Sequence, residues 1–209
     1  MAPPRVAICD YGMGNLRSVA RAVERVGGRA EVTDDPEAVA GADAVVVPGV
    51  GAFGACVRNL RGRGLDRAIL DAWARRLPIF GVCLGMQVLF EGSEEDPDPG
   101  LGLLPGRCRR LPPSVKVPHM GWNEVTWTAP HPYAEGLPSG TRFYFVHSYA
   151  PDPDPAATVG TAEHGRVFAA AVAREEVFAT QFHPEKSGAA GLALYAAFVR
   201  RAAREPAWS

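Results

Sequence analysis

Lysine is nearly missing from this chain of 209 residues: of its 22 basic residues only Lys116 and Lys186 are lysine, and the rest are arginine. Net charge is missing too, since 22 basic and 23 acidic residues leave −1. Without a cationic surplus to neutralise phosphates, a nucleic-acid-coating role is excluded. Long apolar runs are lacking. The longest, residues 44–48 and 167–173, fall far short of the roughly 20 residues that cross a bilayer. The opening residues, Met1-Ala-Pro-Pro-Arg5, lead straight into an apolar run with no secretory or lipidation pattern, so a cytosolic location is expected. Cysteine is sparse: Cys9, Cys56, Cys83 and Cys108. In a reducing compartment disulfides are not expected of them. No Cys-x-x-Cys or His-x-x-x-His pair supplies a first set of zinc ligands, so no metal is expected.

What is present is ordinary for a globular protein, 47% hydrophobic and 22% charged residues. This length predicts one domain over residues 1–209, large enough to bury a core without metal or disulfide support. The first half alternates in kind. Strand-like runs at 6–9, 29–33, 44–48 and 78–80 are separated by helical stripes. Leu16, Val19, Val23 and Val26 form one stripe; Leu65, Ala68, Ile69, Ala72 and Trp73 form another. Asp35-Pro36 reads as an N-cap followed by proline at the first helical position. The run Ala44-Val-Val-Val-Pro48, apolar on both faces, reads as a central parallel strand. Residues 86–90 are expected to continue as a helix. After about residue 91 the pattern turns to strands, at 106–110, 115–118, 124–128, 142–149, 158–163, 167–173 and 177–182, and a helix over 188–204 closes the chain. The expected fold is α/β: a three-layer α/β/α sandwich with a mainly parallel central sheet and added antiparallel strands in the second half.

Gly49-Val-Gly51-Ala-Phe-Gly54 matches a dinucleotide-binding fingerprint, but the strand that follows carries no acidic residue at its tip to hold a ribose. The match also lies after the third strand, outside the first βαβ unit, so this reading is rejected. Those glycines still allow backbone amides to approach a small ligand closely.

Gly81-Val-Cys83-Leu-Gly85 is a different matter. It sits between an apolar strand and a helical run, in the manner of a nucleophile elbow. Such a turn crowds its flanking residues, hence the glycines, and lifts the central side chain to the carboxyl edge of the sheet. There a helix N-terminus favours the thiolate, and the Leu84 amide can donate to an oxyanion. The pentapeptide alone is equally compatible with a core cysteine between turn glycines. A nucleophilic thiol also needs a base. Among five histidines, His183 lies at a strand end in Gln181-Phe-His-Pro-Glu185, two residues from Glu185, so both side chains project to one side. Cys83, His183 and Glu185 together make a candidate Cys-His-Glu triad for acyl transfer.

The elbow through Gln87 and the Phe-His183-Pro-Glu185 block resemble the triad (class I) glutamine amidotransferases, of flavodoxin-like fold. Five blocks are similar to the branch of that family that forms the glutaminase subunits of imidazole glycerol phosphate synthase. They are Asp10-Tyr-Gly-Met-Gly-Asn15, Pro48-Gly-Val-Gly-Ala-Phe53, Pro118-His-Met-Gly-Trp-Asn123, Phe145-Val-His-Ser-Tyr149 and Gln181-Phe-His-Pro-Glu-Lys-Ser187. The resemblance implies glutamine hydrolysis through a γ-glutamyl thioester on Cys83, with His183 moving the proton and Glu185 orienting it. It implies backbone oxyanion donors at Val50 and Leu84, and glutamine-binding roles for Gly49, Gly51, Gln87, Glu95, Ser148 and Tyr149. It implies no cofactor. It further implies a heterodimeric partner, a (β/α)₈-barrel cyclase of histidine biosynthesis that receives the ammonia, faced by Asn15, Met120, Trp122, Tyr144 and Lys186. Two other readings stay open: the glutaminase of another synthase, such as that of vitamin B6 synthesis, and a non-catalytic scaffold that docks onto a barrel.

Overall fold

The computed structural model describes residues 2–203. Five strands lie parallel and form one half of a nine-stranded sheet: β1 (Arg5–Cys9), β2 (Arg29–Thr33), β3 (Ala44–Gly49), β4 (Ile79–Cys83) and, from the far end of the chain, β12 (Val177–Thr180). Between them run α1 (Leu16–Arg25), α2 (Pro36–Ala40), α3 (Phe53–Gly62), α4 (Leu65–Ala74) and the single turn α5 (Leu84–Gln87). The sheet's second half is antiparallel and contains β7 (His119–Trp127), β8 (Thr141–His147), β10 (Thr158–Glu163) and β11 (Val167–Arg174). The strand order is β2-β1-β3-β4-β12-β11-β10-β7-β8. A small second sheet joins β5 (Phe90–Ser93), β6 (Leu104–Arg110) and β9 (Tyr149–Pro151), and α6 (Gly188–Ala202) closes the described chain. Arg204, the expected end of that helix, and the tail after it lie outside the described residues.

Strand alternation assigns each side chain to a layer. On β1, Val6 and Ile8 face the core shared with α1 and α6, while Ala7 and Cys9 face the core shared with α3 and α4. On β3, Ala44 and Val46 join the first core and Val45 and Val47 the second. The parallel strands β1, β3 and β4 are therefore buried on both faces, which is why their sequences are almost continuously apolar. Burying each such valine or phenylalanine contributes about 1.5–3 kcal/mol. The Asp35 cap forms as its residue type suggests, its side chain accepting from the Glu37 amide at 2.9 Å.

Three expectations need correction, and one helix was not expected at all. The helix α3 was not signalled by the pattern, because its entry is glycine-rich and its buried face, Phe53, Cys56, Val57 and Leu60, is short. The helix expected over 86–90 stops after one turn. The amides of Leu101 and Gly102 bond to the carbonyls of Val88 and Phe90, so a returning segment takes those acceptors and Phe90 opens β5. Residues 115–118 form no strand; the Val115 amide bonds back to Pro112 and the Lys116 carbonyl accepts from the His164 ring. The run 142–149 is broken at Ser148, where the chain leaves β8 for β9 and the second sheet.

Candidate active site

Parallel strands β1, β3, β4 and β12 all end at one rim of the sheet, and the candidate residues collect there because each follows a strand end. Cys83 terminates β4 in register with Gly49 of β3 and carries φ +55°, a left-handed value that a residue with a Cβ adopts only under strain. The glycines around it are required by packing. A Cβ on Gly85 would stand 1.8 Å from the Val47 carbonyl oxygen, and one on Gly81 would meet the Leu89 side chain at 2.9 Å. Because α5 is one turn long, the dipole acting on the sulfur is that of the first few amides and not of an extended helix.

His183 and Glu185 stand at and just beyond the end of β12, around the short 3-10 turn Pro184–Lys186. Nδ1 of His183 lies 2.8 Å from Oε1 of Glu185, and both side chains are essentially excluded from solvent. The loop is tied down from behind. The His183 amide donates to the Tyr144 carbonyl, the Ser187 hydroxyl donates to the His183 carbonyl at 2.6 Å, and the Tyr144 amide donates to that same hydroxyl at 3.0 Å. Burial by itself would lower the His183 pKa. The negative charges that Cys83 and Glu185 can carry outweigh it and hold the imidazole well above its ordinary value. Nε2 of His183 is buried and, among the described residues, no group meets it in hydrogen-bond geometry, although Cys83 is near enough to raise its pKa. The Cys83 sulfur instead lies 3.6 Å from the Val146 carbonyl and 3.7 Å from Nε2 of Gln181.

A cavity of about 230 Å³ opens over these groups. That is smaller than the roughly 300 Å³ at which drug-sized pockets begin, a scale suited to a small metabolite. Its wall contains Cys83, His183, Val50, Leu84, Gly51, Gln87, Glu95, Ser148 and Tyr149, together with Pro118, Val146 and His147. The residues expected to supply thiol, base, oxyanion donors or glutamine contacts thus all meet there except Gly49. Gly49 is buried behind the wall, where a Cβ would come within 2.5 Å of the Gly85 nitrogen. Glu95 has one commitment already, since its Oε2 accepts from the Phe53 amide at the start of α3. Burial pushes Cys9 and Cys56 up to about 12 and raises Cys108 as well, which keeps those three thiols protonated and unreactive.

The residues expected to face a partner form a second group. Met120 and Trp122 point outward from β7 with 63% and 50% of their surface exposed, too much for core side chains. Trp122 meets the Tyr144 ring edge-on, and Lys186 Nζ sits 5.7 Å from that ring's centroid. Asn15 is the N-cap of α1.

Sequence reasoning passed over three buried polar residues at this site. Gln181 is wholly buried, and His119 and His147 are 5% and 6% exposed. Nδ1 of His119 lies 2.9 Å from Nε2 of His147, whose Nδ1 donates to the Tyr149 carbonyl at 3.0 Å. The one available signal was Thr180-Gln181, a polar pair that ends an otherwise apolar strand immediately before His183.

An elbow cysteine, a buried imidazole–carboxylate pair and a small cavity at the carboxyl rim of a mainly parallel sheet agree with the comparisons to known proteins. The family model "Glutamine amidotransferase class-I" matches residues 7–201, and the chain belongs to that family. Solved structures of similar fold include that of a glutamine amidotransferase, at TM-score 0.75 and 22% identity, covering 95% of this chain and 99% of that one. Another is the structure of PurLQS from Thermotoga maritima, at TM-score 0.73 and 20% identity, covering 95% and 99%. Within the family, its relatives include imidazole glycerol phosphate synthase subunits HisH. The subunit of Aromatoleum aromaticum is 52% identical over 93% of this chain and 97% of its own. That of Moorella thermoacetica is 50% identical over 90% of each. This chain is accordingly a glutamine amidotransferase subunit of the HisH kind.

Proposed function

We propose that residues 1–209 form one amidotransferase domain in which Cys83, His183 and Glu185 hydrolyse the side-chain amide of glutamine and pass the ammonia to a cyclase subunit. The Cys83 sulfur, giving its proton to Nε2 of His183, attacks the amide carbon. A C–S bond forms and the carbonyl electron pair moves to oxygen, which the amides of Val50 and Leu84 receive. Collapse expels the amine with the proton held by His183, leaving a γ-glutamyl thioester. The same imidazole then takes a proton from water, which attacks the thioester, releases glutamate and restores the thiol. Glu185 accepts from Nδ1, so that Nε2 is the nitrogen that exchanges protons. To begin, the thiol exchanges the Val146 carbonyl for the unpartnered Nε2 of His183. Gly51, Gln87, Glu95, Ser148 and Tyr149 hold the substrate, Glu95 offering its carboxylate to the α-amino group while Gly49 keeps the turn open from behind.

Ammonia set free in neutral water becomes mostly ammonium, which is no nucleophile, so the product needs a sheltered route. The outward Met120, Trp122, Tyr144 and Lys186, with Asn15, receive a (β/α)₈-barrel cyclase that uses ammonia to make imidazole glycerol phosphate and an aminoimidazole carboxamide ribotide. An exposed Trp and Met set among polar residues suit an interface centre. The reading also entails a cytoplasmic heterodimer; no helix among the described residues is long and apolar enough to cross a membrane.

The single observation that carries this reading is the shared cavity wall, in which a strained elbow thiol and a carboxylate-oriented imidazole meet. Its test is glutamate release from glutamine by the chain alone and with the cyclase and its nucleotide ligand, alongside labelling by a glutamine-like diazo-ketone. The expected result is slow release that the cyclase stimulates, with the label on Cys83. Release without any labelling of Cys83 would overturn the mechanism.

A further inference from the structure

The polar residues behind the cavity form one continuous chain of hydrogen bonds that ends on the sulfur. The Tyr149 carbonyl can only accept, and it receives Nδ1–H of His147 at 3.0 Å and Nε2–H of Gln87 at 2.8 Å. This settles which end of the Gln87 amide is nitrogen. Its other N–H donates to Oε1 of Gln181 at 2.9 Å, so Nε2 of Gln181 is turned to the Cys83 sulfur, 3.7 Å away. The backbone amide of Gln181 is bonded to the Ala170 carbonyl, which pins the residue beside β11. On the far side of Tyr149, Nδ1–H of His119 donates to Nε2 of His147, and Nδ2 of Asn123 lies 3.3 Å from Nε2 of His119. From Asn123 to the sulfur, one arrangement of protons satisfies every link.

The sulfur thus stands between opposite demands. The Val146 carbonyl accepts from it and favours the thiol, whereas the Gln181 amide donates to it and favours the thiolate. We propose that Gln181 is a positioning residue for the nucleophile, a neutral N–H donor that stabilises the Cys83 thiolate and whose orientation is imposed through Gln87 by the Tyr149 carbonyl. The proposal rests on the reading of Cys83 as nucleophile and adds a residue to it. The other titratable groups facing Cys83 are His183 and Glu185 beyond β12, His147 at the end of β8, Glu95 beyond β5, Cys56 on α3 and Tyr11 in the loop after β1. Gln181 differs from all of these in having no charge to gain or lose, so its effect persists across the working pH range.

The experiment follows alkylation of Cys83 by iodoacetamide as a function of pH in the wild-type chain and in two variants. Gln181→Leu removes the donor; Gln181→Glu keeps an acceptor for Gln87 and sets a carboxylate oxygen toward the sulfur. The alkylation midpoint is expected to rise by about one pH unit in the leucine variant, the scale of one hydrogen bond to a charged group, and further in the glutamate variant. Glutamine turnover should fall about tenfold in kcat with KM changed less than about twofold. A readout that needs no variant of Gln181 is the NMR signal of its side-chain amide, which should titrate with the Cys83 midpoint in wild type and stay flat in Cys83→Ala. A flat wild-type signal, or unshifted midpoints in folded variants, overturns the assignment to Gln181 alone. Absence of diazo-ketone labelling on wild-type Cys83 overturns the underlying reading instead.

Discussion

The two walls of the cavity treat the same side chain in opposite ways. On the wall built from the parallel strands, His183 is buried against Glu185 and near Cys83, and their negative charge holds its pKa well above the ordinary value. On the antiparallel wall, His147 is as deeply buried but faces a second imidazole and a carbonyl, and burial drives it down to about 3, with His119 beside it at about 4. Desolvation lowers a histidine wherever it is buried; only an adjacent anion reverses the sign. One wall therefore carries an imidazole that holds a proton near neutral pH. The other carries two neutral rings whose work is to fix the strand that passes through Ser148 and Tyr149.

The contrast can be broken most directly at the sulfur. Cys83→Ala should abolish glutamine-dependent synthesis by the complex, a fall of about 10⁴-fold or more, while synthesis from added ammonium salts persists in the partner. Parallel assays with the two nitrogen sources check this. Loss of both activities, or of neither, would mean that the parallel wall does not carry the chemistry. Next in size is Glu185→Gln, which preserves shape but removes the anion. Glutamate release should fall by on the order of 10²-fold or more, and the His183 pKa should drop toward the direction burial dictates for His147. NMR titration of the ring reads the second effect; an unmoved pKa would refute the account of why the two histidines differ.

The outer face of the antiparallel region allows a smaller change. Trp122→Ala should weaken cyclase binding by about 2 kcal/mol, roughly 30-fold, and leave the isolated chain's unfolding midpoint almost unmoved, because the indole is half exposed. Calorimetric titration against thermal unfolding separates the two. The last expected effect concerns acid. His119 and His147 are neutral in the folded state at pH values where the unfolded chain would protonate them, so the unfolded state binds more protons below about 6.5. Stability contributed by their neutral pairing is present above that pH and declines as pH falls toward 4. Denaturation should show lower stability at pH 5 than at pH 7.5, and His119→Gln should shrink the difference. Equal stability at both values would show that the pair tolerates a proton.

Local chemistry carried much of this into the sequence. An elbow needs glycines beside its nucleophile, central parallel strands need apolar residues on both faces, and a histidine two residues from a glutamate can be oriented by it, so Cys83, His183, Glu185 and the alternating first half were legible residue by residue. The blocks holding Trp122 and Lys186 stood out only through their resemblance to the family. What was hidden depends on long-range pairing. Whether residues 86–90 continue a helix was decided by the returning amides of Leu101 and Gly102, and no periodicity within five residues could report a competitor for their carbonyls. The break at Ser148 arises because one strand-like stretch serves two different sheets.

The sequence by itself determined which groups could do chemistry and which strand ends they would follow, since backbone strain, side-chain type and two-residue spacing are local properties. Only the tertiary structure decided where the sulfur rests, between the Val146 carbonyl and the Gln181 amide, and which histidines are raised and which lowered. Those outcomes depend on burial and on the charges and hydrogen-bonding groups of neighbours up to about a hundred residues away along the chain, such as the Gln181 amide with a separation of 98 from Cys83. Desolvation and electrostatic coupling act through space, and a linear order of residues does not contain them until it is folded.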